Sequence, residues 1–343
     1  MPSHTNPESD RYKGPIKWLQ YVLARGLITL LQRLPIGLAY KLGRGTGWLS
    51  WKIMSKRRAV VRKNLEVVNA WMEAQSANNE WRINDGGEEQ GMAPVASAMS
   101  SAECNSPSTI RHHSSLPLEA QTKEVFQRAG ANLFSGFTFN RMSPEQVEHH
   151  IQVEGLGHLE TALAAGKGAI ILLAHMGPWE ALTQLPGFAA RHDIDAPFGA
   201  MYRPLNNSYL DDWFKSQREA SGTRLFSRRD GFHKPVDFIR NGGMLGILAD
   251  QKMREGPSAK YFGVDTATSP IPGLFHRRSK APMLALSVVS VAPLRWVLTL
   301  APVAFPEGLD LGNREALASI CNQALEQRLA CSPCDGFWLH KRF

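Results

Sequence analysis

The run Ala169-Ile-Ile-Leu-Leu-Ala174 is continuously apolar and is entered through Gly168. A strand with one wet face alternates apolar and polar residues. An unbroken run of this length reads as a strand buried on both faces, as in a parallel sheet covered by helices. Phe198-Gly-Ala-Met-Tyr202 and Met244-Leu-Gly-Ile-Leu-Ala249 repeat the pattern, the second introduced by the turn signal Asn241-Gly-Gly243. Met283 to Val289 and Trp296 to Ala301 read as two more strands, joined by a turn near Pro293. Helical patterns fall over Trp179 to Ala190, Leu210 to Ala220 and Lys234 to Arg240. A closing helix spans Asn313 to Leu329, with Leu317, Ile320, Ala324 and Leu325 turned inward. This alternation predicts an α/β fold, a mixed, mainly parallel central sheet flanked by helices.

Three of these strands end directly on a residue able to do chemistry. His175 follows Ala174, Arg203 follows Tyr202, and Asp250 follows Ala249. Open α/β sheets bind ligands at the carboxyl ends of their strands. If the three strands are parallel neighbours, the three side chains face one crevice.

The net charge of +8 is unevenly placed. Met1 to Asn64 holds 13 of the 39 Lys and Arg residues but 2 of the 31 Asp and Glu, leaving 26 basic against 29 acidic residues in the remainder. The same segment carries an apolar stripe at helical spacing: Leu19, Val22, Leu23, Gly26, Leu27, Leu30, Leu31 and Leu34, with Lys17, Gln20, Arg25, Gln32 and Arg33 off it. Pro35 interrupts the helix. A second apolar and basic stretch follows, with Leu38, Leu42, Trp48, Leu49, Trp51 and Ile53 beside Lys41, Arg44, Lys52 and Lys56. Cations beside an apolar stripe point to a membrane surface rather than to nucleic acid. The alternative is a helix packed on the domain. No uncharged apolar run reaches the roughly eighteen residues of a membrane span, and the stripe outruns the apolar core of a signal peptide, which ends at Arg25.

These features divide the chain into a disordered start over residues 1–16, a membrane-associated helical segment over 17–64, a disordered insert over 74–115 and an α/β domain over 116–343. The insert is rich in Ser, Asn, Ala, Gly, Glu and Gln and has too little apolar surface to offset its ordering entropy. Gly43-Arg-Gly-Thr-Gly47 has the look of a phosphate loop, but no strand precedes it, and the glycines read as close-packing residues. Four cysteines exclude a disulfide scaffold. Cys331-Ser-Pro-Cys334 lacks a second CxxC, and His112-His113 lacks nearby ligands, so no metal site is expected. Arg277, Arg278 and Lys280 form either a solvated face or a landing site for an acidic carrier protein.

The chemistry centres on His175-Met-Gly-Pro-Trp-Glu180. His175 ends a strand, Gly177 and Pro178 turn the chain, and Glu180 opens the next helix. Across such a turn the carboxylate can reach back to one ring nitrogen, leaving the other as a general base. No Ser or Cys in the turn offers a nucleophile, which favours direct attack by a substrate hydroxyl.

The spacing resembles the H-x-x-x-x-[D/E] signature of the lysophospholipid acyltransferase superfamily. Further blocks resemble one branch, the lipid A biosynthesis acyltransferases that add secondary lauroyl or myristoyl chains. These are Met201-Tyr-Arg-Pro-Leu-Asn206, then Arg218 with Gly222, then Asn241-Gly-Gly243 leading to Leu248-Ala-Asp-Gln251. Tyr261-Phe-Gly263, Ala267-Thr268, Lys280-Ala-Pro282 and the ending Trp338-Leu-His-Lys-Arg-Phe343 continue the match.

The resemblance implies transfer of a fatty acyl group from an acyl carrier protein thioester to a hydroxyl of a lipid A precursor, at the cytoplasmic face of a Gram-negative inner membrane. His175 would deprotonate the acceptor, and Glu180 would orient His175. Arg203, or N–H groups of the Gly177 turn, would face the oxyanion. Arg203 could instead grip a phosphate or form a salt bridge with Asp250. Asp250 and Gln251 would shape the crevice or bind sugar hydroxyls. No cofactor is implied, because the thioester co-substrate is already activated. A second reading is a related acyltransferase acting on another glycolipid or a lysophospholipid, although the F-x-x-R and E-G-T-R blocks usual for the latter are missing. A third is a catalytically silent peripheral protein that binds membrane lipid.

Overall fold

The computed structural model describes residues 13–77, 116–227 and 231–343. The expected disordered start and insert therefore lie largely outside the described residues, as do His112 and His113. Where they overlap, the expectations are corrected: the first helix begins at Pro15 and the third runs to Ala77.

The chain opens with α1 (Pro15–Arg33), α2 (Ile36–Ile53) and α3 (Ser55–Ala77). Pro35 separates the first two because its ring blocks helix continuation and pre-sets the φ of a new start. Next come α4 (Leu118–Phe139), α5 (Pro144–Glu148), β1 (Ile151–Glu154), α6 (Leu156–Ala164) and β2 (Ala169–Leu173). A 3₁₀ segment (Trp179–Gln184) leads into α7 (Leu185–Arg191), β3 (Phe198–Tyr202), α8 (Ser208–Glu219), β4 (Arg224–Ser227), α9 (His233–Arg240) and β5 (Met244–Leu248). The hairpin β6 (Ser258–Tyr261) and β7 (Val264–Ala267) precedes α10 (Ile271–Ser279), β8 (Met283–Ala292), β9 (Arg295–Pro302) and α11 (Arg314–Ala330).

Seven strands form one sheet in the order β1-β9-β8-β2-β5-β3-β4. From β8 to β4 all neighbours are parallel, while β9 turns back antiparallel on β8 and carries β1. The sheet is thus mixed and mainly parallel, as expected. Along β2 the side chains alternate between two apolar layers. Ile170, Leu172 and Ala174 enter one with Leu245, Ile247 and Phe275. Ala169, Ile171 and Leu173 enter the other with Phe198, Met244 and Leu286. This is why the run has no polar position. Short β1 and β4 carry too few apolar residues to be distinct in the sequence.

The N-terminal segment divides into two environments. Val61, Asn64, Leu65 and Val68 of α3 are buried, so residues 55–64 belong to the α/β core rather than to a separate segment. In α1, by contrast, Ile28 and Leu31 are buried, while Trp18, Leu19, Leu23, Leu27 and Leu30 are each more than half exposed. In α2, Leu38, Leu42, Leu49 and Ile53 are also exposed. No helix among the described residues is long and apolar enough to cross a membrane.

The glycines of α2 are packing residues. A Cβ on Gly43 would lie 2.4 Å from the Gly130 carbonyl oxygen, and one on Gly47 2.2 Å from that of Phe126, so α2 and α4 touch backbone to backbone. Gly45, on the opposite side, meets nothing within 4 Å. Thermal unfolding should therefore separate them. Gly47→Ala is expected to destabilise by about 1–3 kcal/mol through overpacking. Gly45→Ala is expected to stabilise by about 0.5–1 kcal/mol through helix propensity.

Candidate active site

The parallel neighbours β2, β5 and β3 bring His175, Asp250 and Arg203 to the same edge of the sheet. His175 Nδ1 and Asp250 Oδ1 are 2.7 Å apart. The His175 side chain is one-fifth exposed and that of Asp250 is nearly buried. Asp250 accepts the Nδ1 proton, which fixes the tautomer and leaves Nε2 as the basic atom. Burial opposes protonation of His175, but the charge of Asp250 and its hydrogen bond outweigh burial, with Glu180 adding a smaller attraction; the imidazole pKa is raised. Burial likewise pushes against ionisation of Asp250, and the His175 ring more than offsets it, so its carboxyl is lowered. Each partner thus favours the charged form of the other, which holds the pair in one geometry.

This corrects the expected role of Glu180. Its carboxylate takes hydrogen bonds from Arg218 at 2.8, 3.1 and 3.2 Å, with no bond to His175. The tight 3₁₀ turn over Trp179–Gln184 aims Glu180 toward α8, which carries Arg218. Glu180 therefore clamps α8 over the site and reaches His175 only through its field. Asp250, expected to bind substrate or pair with Arg203, instead holds the histidine. Arg203 is exposed at the rim and forms no ion pair among the described residues.

Gly177 is also corrected. Its φ of +59° places it in the left-handed region, and a Cβ would lie 2.5 Å from the Val288 carbonyl oxygen. Its N–H donates to the Asp335 carbonyl at 3.1 Å, so it is not free to face an oxyanion. The glycine makes the turn possible and is not a substrate contact.

Sequence reasoning missed what supports this turn. The Phe337 N–H donates to the His175 carbonyl at 2.8 Å, and Met176 bridges to Gly336. The Asp335 carboxylate accepts from Arg128 at 2.6 Å, from Ser290 through N–H at 3.0 Å and hydroxyl at 2.6 Å, and from Ser332 at 2.7 Å. Trp179 and Phe337 flank the imidazole, with ring centroids 5.6 and 6.5 Å away. The C-terminal block therefore acts structurally. Phe262, Trp338 and Phe343 pack edge to face, and Arg342 lies 4.2 Å from the centre of the Tyr261 ring. Burial pushes the Cys334 thiol up to about 12, so it stays protonated. No group of three or more His, Cys, Asp or Glu among the described residues is placed to hold a metal ion.

Beside His175 opens a cavity of about 360 Å³. Its rim carries Trp179, Arg203, Gln251 and Lys252, its depth carries Leu173, Phe198, Ala200, Leu225, Gly246 and Leu248 with Thr223 level with Phe198, and Glu180, Arg218 and Thr183 also line it. The base stands at the mouth of a trough whose inner end is largely apolar. Arg277, Arg278 and Lys280 sit elsewhere. They precede β8, whose Met283 pairs with Ile170, about 17 Å below His175 at ~3.3 Å per strand residue. A carrier protein landing there would face the wrong edge of the sheet.

The fold is a mixed, mainly parallel α/β sheet that carries a His–Asp couple at its carboxyl edge beside a cavity. The family model for bacterial lipid A biosynthesis acyltransferase matches residues 117–343, and the chain belongs to this family. It is 25% identical over 146 residues to a lipid A biosynthesis acyltransferase of Haemophilus influenzae, covering 42% of this chain and 44% of the relative. It is 28% identical over 156 residues to a phosphatidylinositol mannoside acyltransferase of Mycobacterium tuberculosis, covering 44% and 47%. Both alignments span less than half of the relative. A lipid A biosynthesis lauroyltransferase of Escherichia coli is 21% identical over 336 residues, covering 96% of this chain and 92% of the relative.

Proposed function

We propose that the protein transfers a fatty acyl group from an acyl carrier protein thioester to a hydroxyl of a lipid A precursor. The observation that carries this reading is the His175–Asp250 couple opening onto the apolar trough. His175 Nε2 removes the proton of the acceptor hydroxyl as its oxygen attacks the thioester carbonyl carbon. The resulting tetrahedral oxyanion collapses, the C–S bond breaks, and the imidazolium returns the proton to the leaving thiolate. Asp250 stabilises that imidazolium. Arg203 and Lys252 supply positive charge at the rim, suited to a phosphate on the acceptor or on the carrier's prosthetic arm. Glu180 with Arg218 holds the roof in place.

The reaction belongs at the cytoplasmic surface of the inner membrane. The exposed face of α1 supports this placement, since Asn207 Nδ2 donates to the Lys17 carbonyl at 2.8 Å and ties the helix to the loop after Arg203. An acceptor lipid can then enter from the bilayer without crossing water. Leu23→Asp with Leu27→Asp is expected to weaken sedimentation with anionic vesicles at least about tenfold. Unchanged sedimentation would remove the membrane assignment.

The test of the activity is an in vitro reaction of acyl carrier protein thioesters with a tetra-acylated lipid A precursor, read by mass spectrometry. The expected product is heavier by one acyl chain. A phosphatidylinositol mannoside acceptor belongs in the same assay, because the mycobacterial relative is named for that glycolipid. A gain on that acceptor alone would transfer the assignment to it, and no gain with any pair would reject the reading.

A further inference from the structure

We infer that Phe198 is the floor of the trough and sets the length of acyl chain the enzyme accepts, an inference that rests on the acyl-transfer reading above. The trough is cut into one face of the sheet by side-chain size. Strand residues two apart share a face, and the lining follows that rule: Leu173 on β2, Phe198 and Ala200 on β3, Leu225 on β4, and Gly246 and Leu248 on β5. Ala200 and Gly246 are register partners, so two very small residues lie side by side at the centre. Ala200 offers a methyl and Gly246 no side chain, which lowers the sheet face beneath the trough.

The space ends abruptly. A Cβ at Gly246 would lie 3.2 Å from Leu173 Cδ1 and 3.4 Å from Phe198 Cζ, so the tips of these two side chains close over Gly246. Four strand residues separate Gly246 from Asp250, about 13 Å at ~3.3 Å per residue. An extended saturated chain of decanoyl to lauroyl size fills that depth. Behind the ring lies a second cavity of about 30 Å³ whose lining includes Ile171, Leu185, Phe188, Ile194 and Met244. Phe198 is the single described residue that lines both spaces, and it is 4% exposed. Removing its ring joins them into one longer apolar channel, while adding a methyl at Gly246 raises the floor.

The experiment has two arms on the full chain. In the first, stabilisation against thermal unfolding is measured with free octanoic, decanoic, lauric, myristic and palmitic acids. In the second, transfer is measured with the matching acyl carrier protein thioesters. Wild type should respond best to decanoyl or lauroyl. Phe198→Ala, and Phe198→Leu as the variant that keeps more packing, should raise the palmitoyl-to-lauroyl ratio, by about tenfold for each added pair of methylenes that fits. Gly246→Ala should shift preference toward shorter chains. Length profiles unchanged in all three variants, or a wild type that binds none of the acids, would overturn the inference. A wild type that transfers no chain yet shows the length limit and its shift in the binding arm would retain the floor and reject the acyl-transfer reading alone.

Discussion

His175→Ala should lower acyl transfer by about 10²–10⁴-fold, the usual contribution of a positioned general base. The loss should fall on kcat more than on KM, because the ring touches the reacting hydroxyl and not the hydrocarbon tail. The variant leaves the nearly buried Asp250 carboxylate without its partner, so circular dichroism and thermal unfolding are read beside transfer. The His175 ring is one-fifth exposed, and the backbone hydrogen bond from the Phe337 N–H does not depend on the side chain. Full retention of transfer by folded His175→Ala would remove His175 as the base, whereas full retention of cellular function by a variant that transfers nothing would favour the silent lipid-binding protein considered from the sequence.

Asp335→Ala should be the most destabilising single change in the site. Its carboxylate is fully buried and Arg128 is one-tenth exposed. Truncation removes the 2.6 Å partner of the Arg128 guanidinium, which keeps Glu124 at 2.9 Å, and strips the Ser290 and Ser332 donors of their acceptor. Breaking one side of a buried ion pair costs about 3–5 kcal/mol, a large part of the roughly 5–15 kcal/mol that holds a domain together. Urea unfolding of Asp335→Ala, Arg128→Met and the double variant measures it. The double variant should recover part of the loss, since no buried guanidinium is then missing its Asp335 partner. Strictly additive losses would show that the two side chains do not depend on each other. The functional consequence follows from position: the Asp335 carbonyl accepts from the Gly177 N–H, so a segment no longer anchored by the Asp335 side chain holds the turn that aims His175 less firmly.

The central fold was legible because buried parallel strands leave a plain signature. Ala169–Ala174 had no polar position to place on a wet face, and the polar residues that ended each run marked the carboxyl edge. The order of the strands was not legible. That β5 lies between β2 and β3 depends on crossover packing, and it is this order that sets Asp250 rather than Glu180 against His175. A carboxylate five residues away was the nearest partner in sequence, but the 3₁₀ geometry of its turn sends it to Arg218. Asp335 was invisible for a related reason: its partners Arg128 and Ser290 are 207 and 45 residues distant. The glycines of α2 were readable as packing residues because the strand that a phosphate loop requires was missing. The expected substrate role of Gly177 failed because its N–H is already taken.

The claim on which the chemistry rests is that Asp250, and not Glu180, holds His175 as the base. The pH dependence of kcat/KM for wild type, Asp250→Asn and Glu180→Gln tests it. His175 must be neutral to act, and its pKa is raised, so the acid limb of the wild-type profile should fall above the ordinary histidine value of about 6.5. Removing the Asp250 charge should move that limb to lower pH while lowering the plateau by about 10²-fold or more. Glu180→Gln, which removes a weaker and more distant charge and loosens the Arg218 clamp, should move it less. A limb that shifts in Glu180→Gln and stays in place in Asp250→Asn would contradict the account.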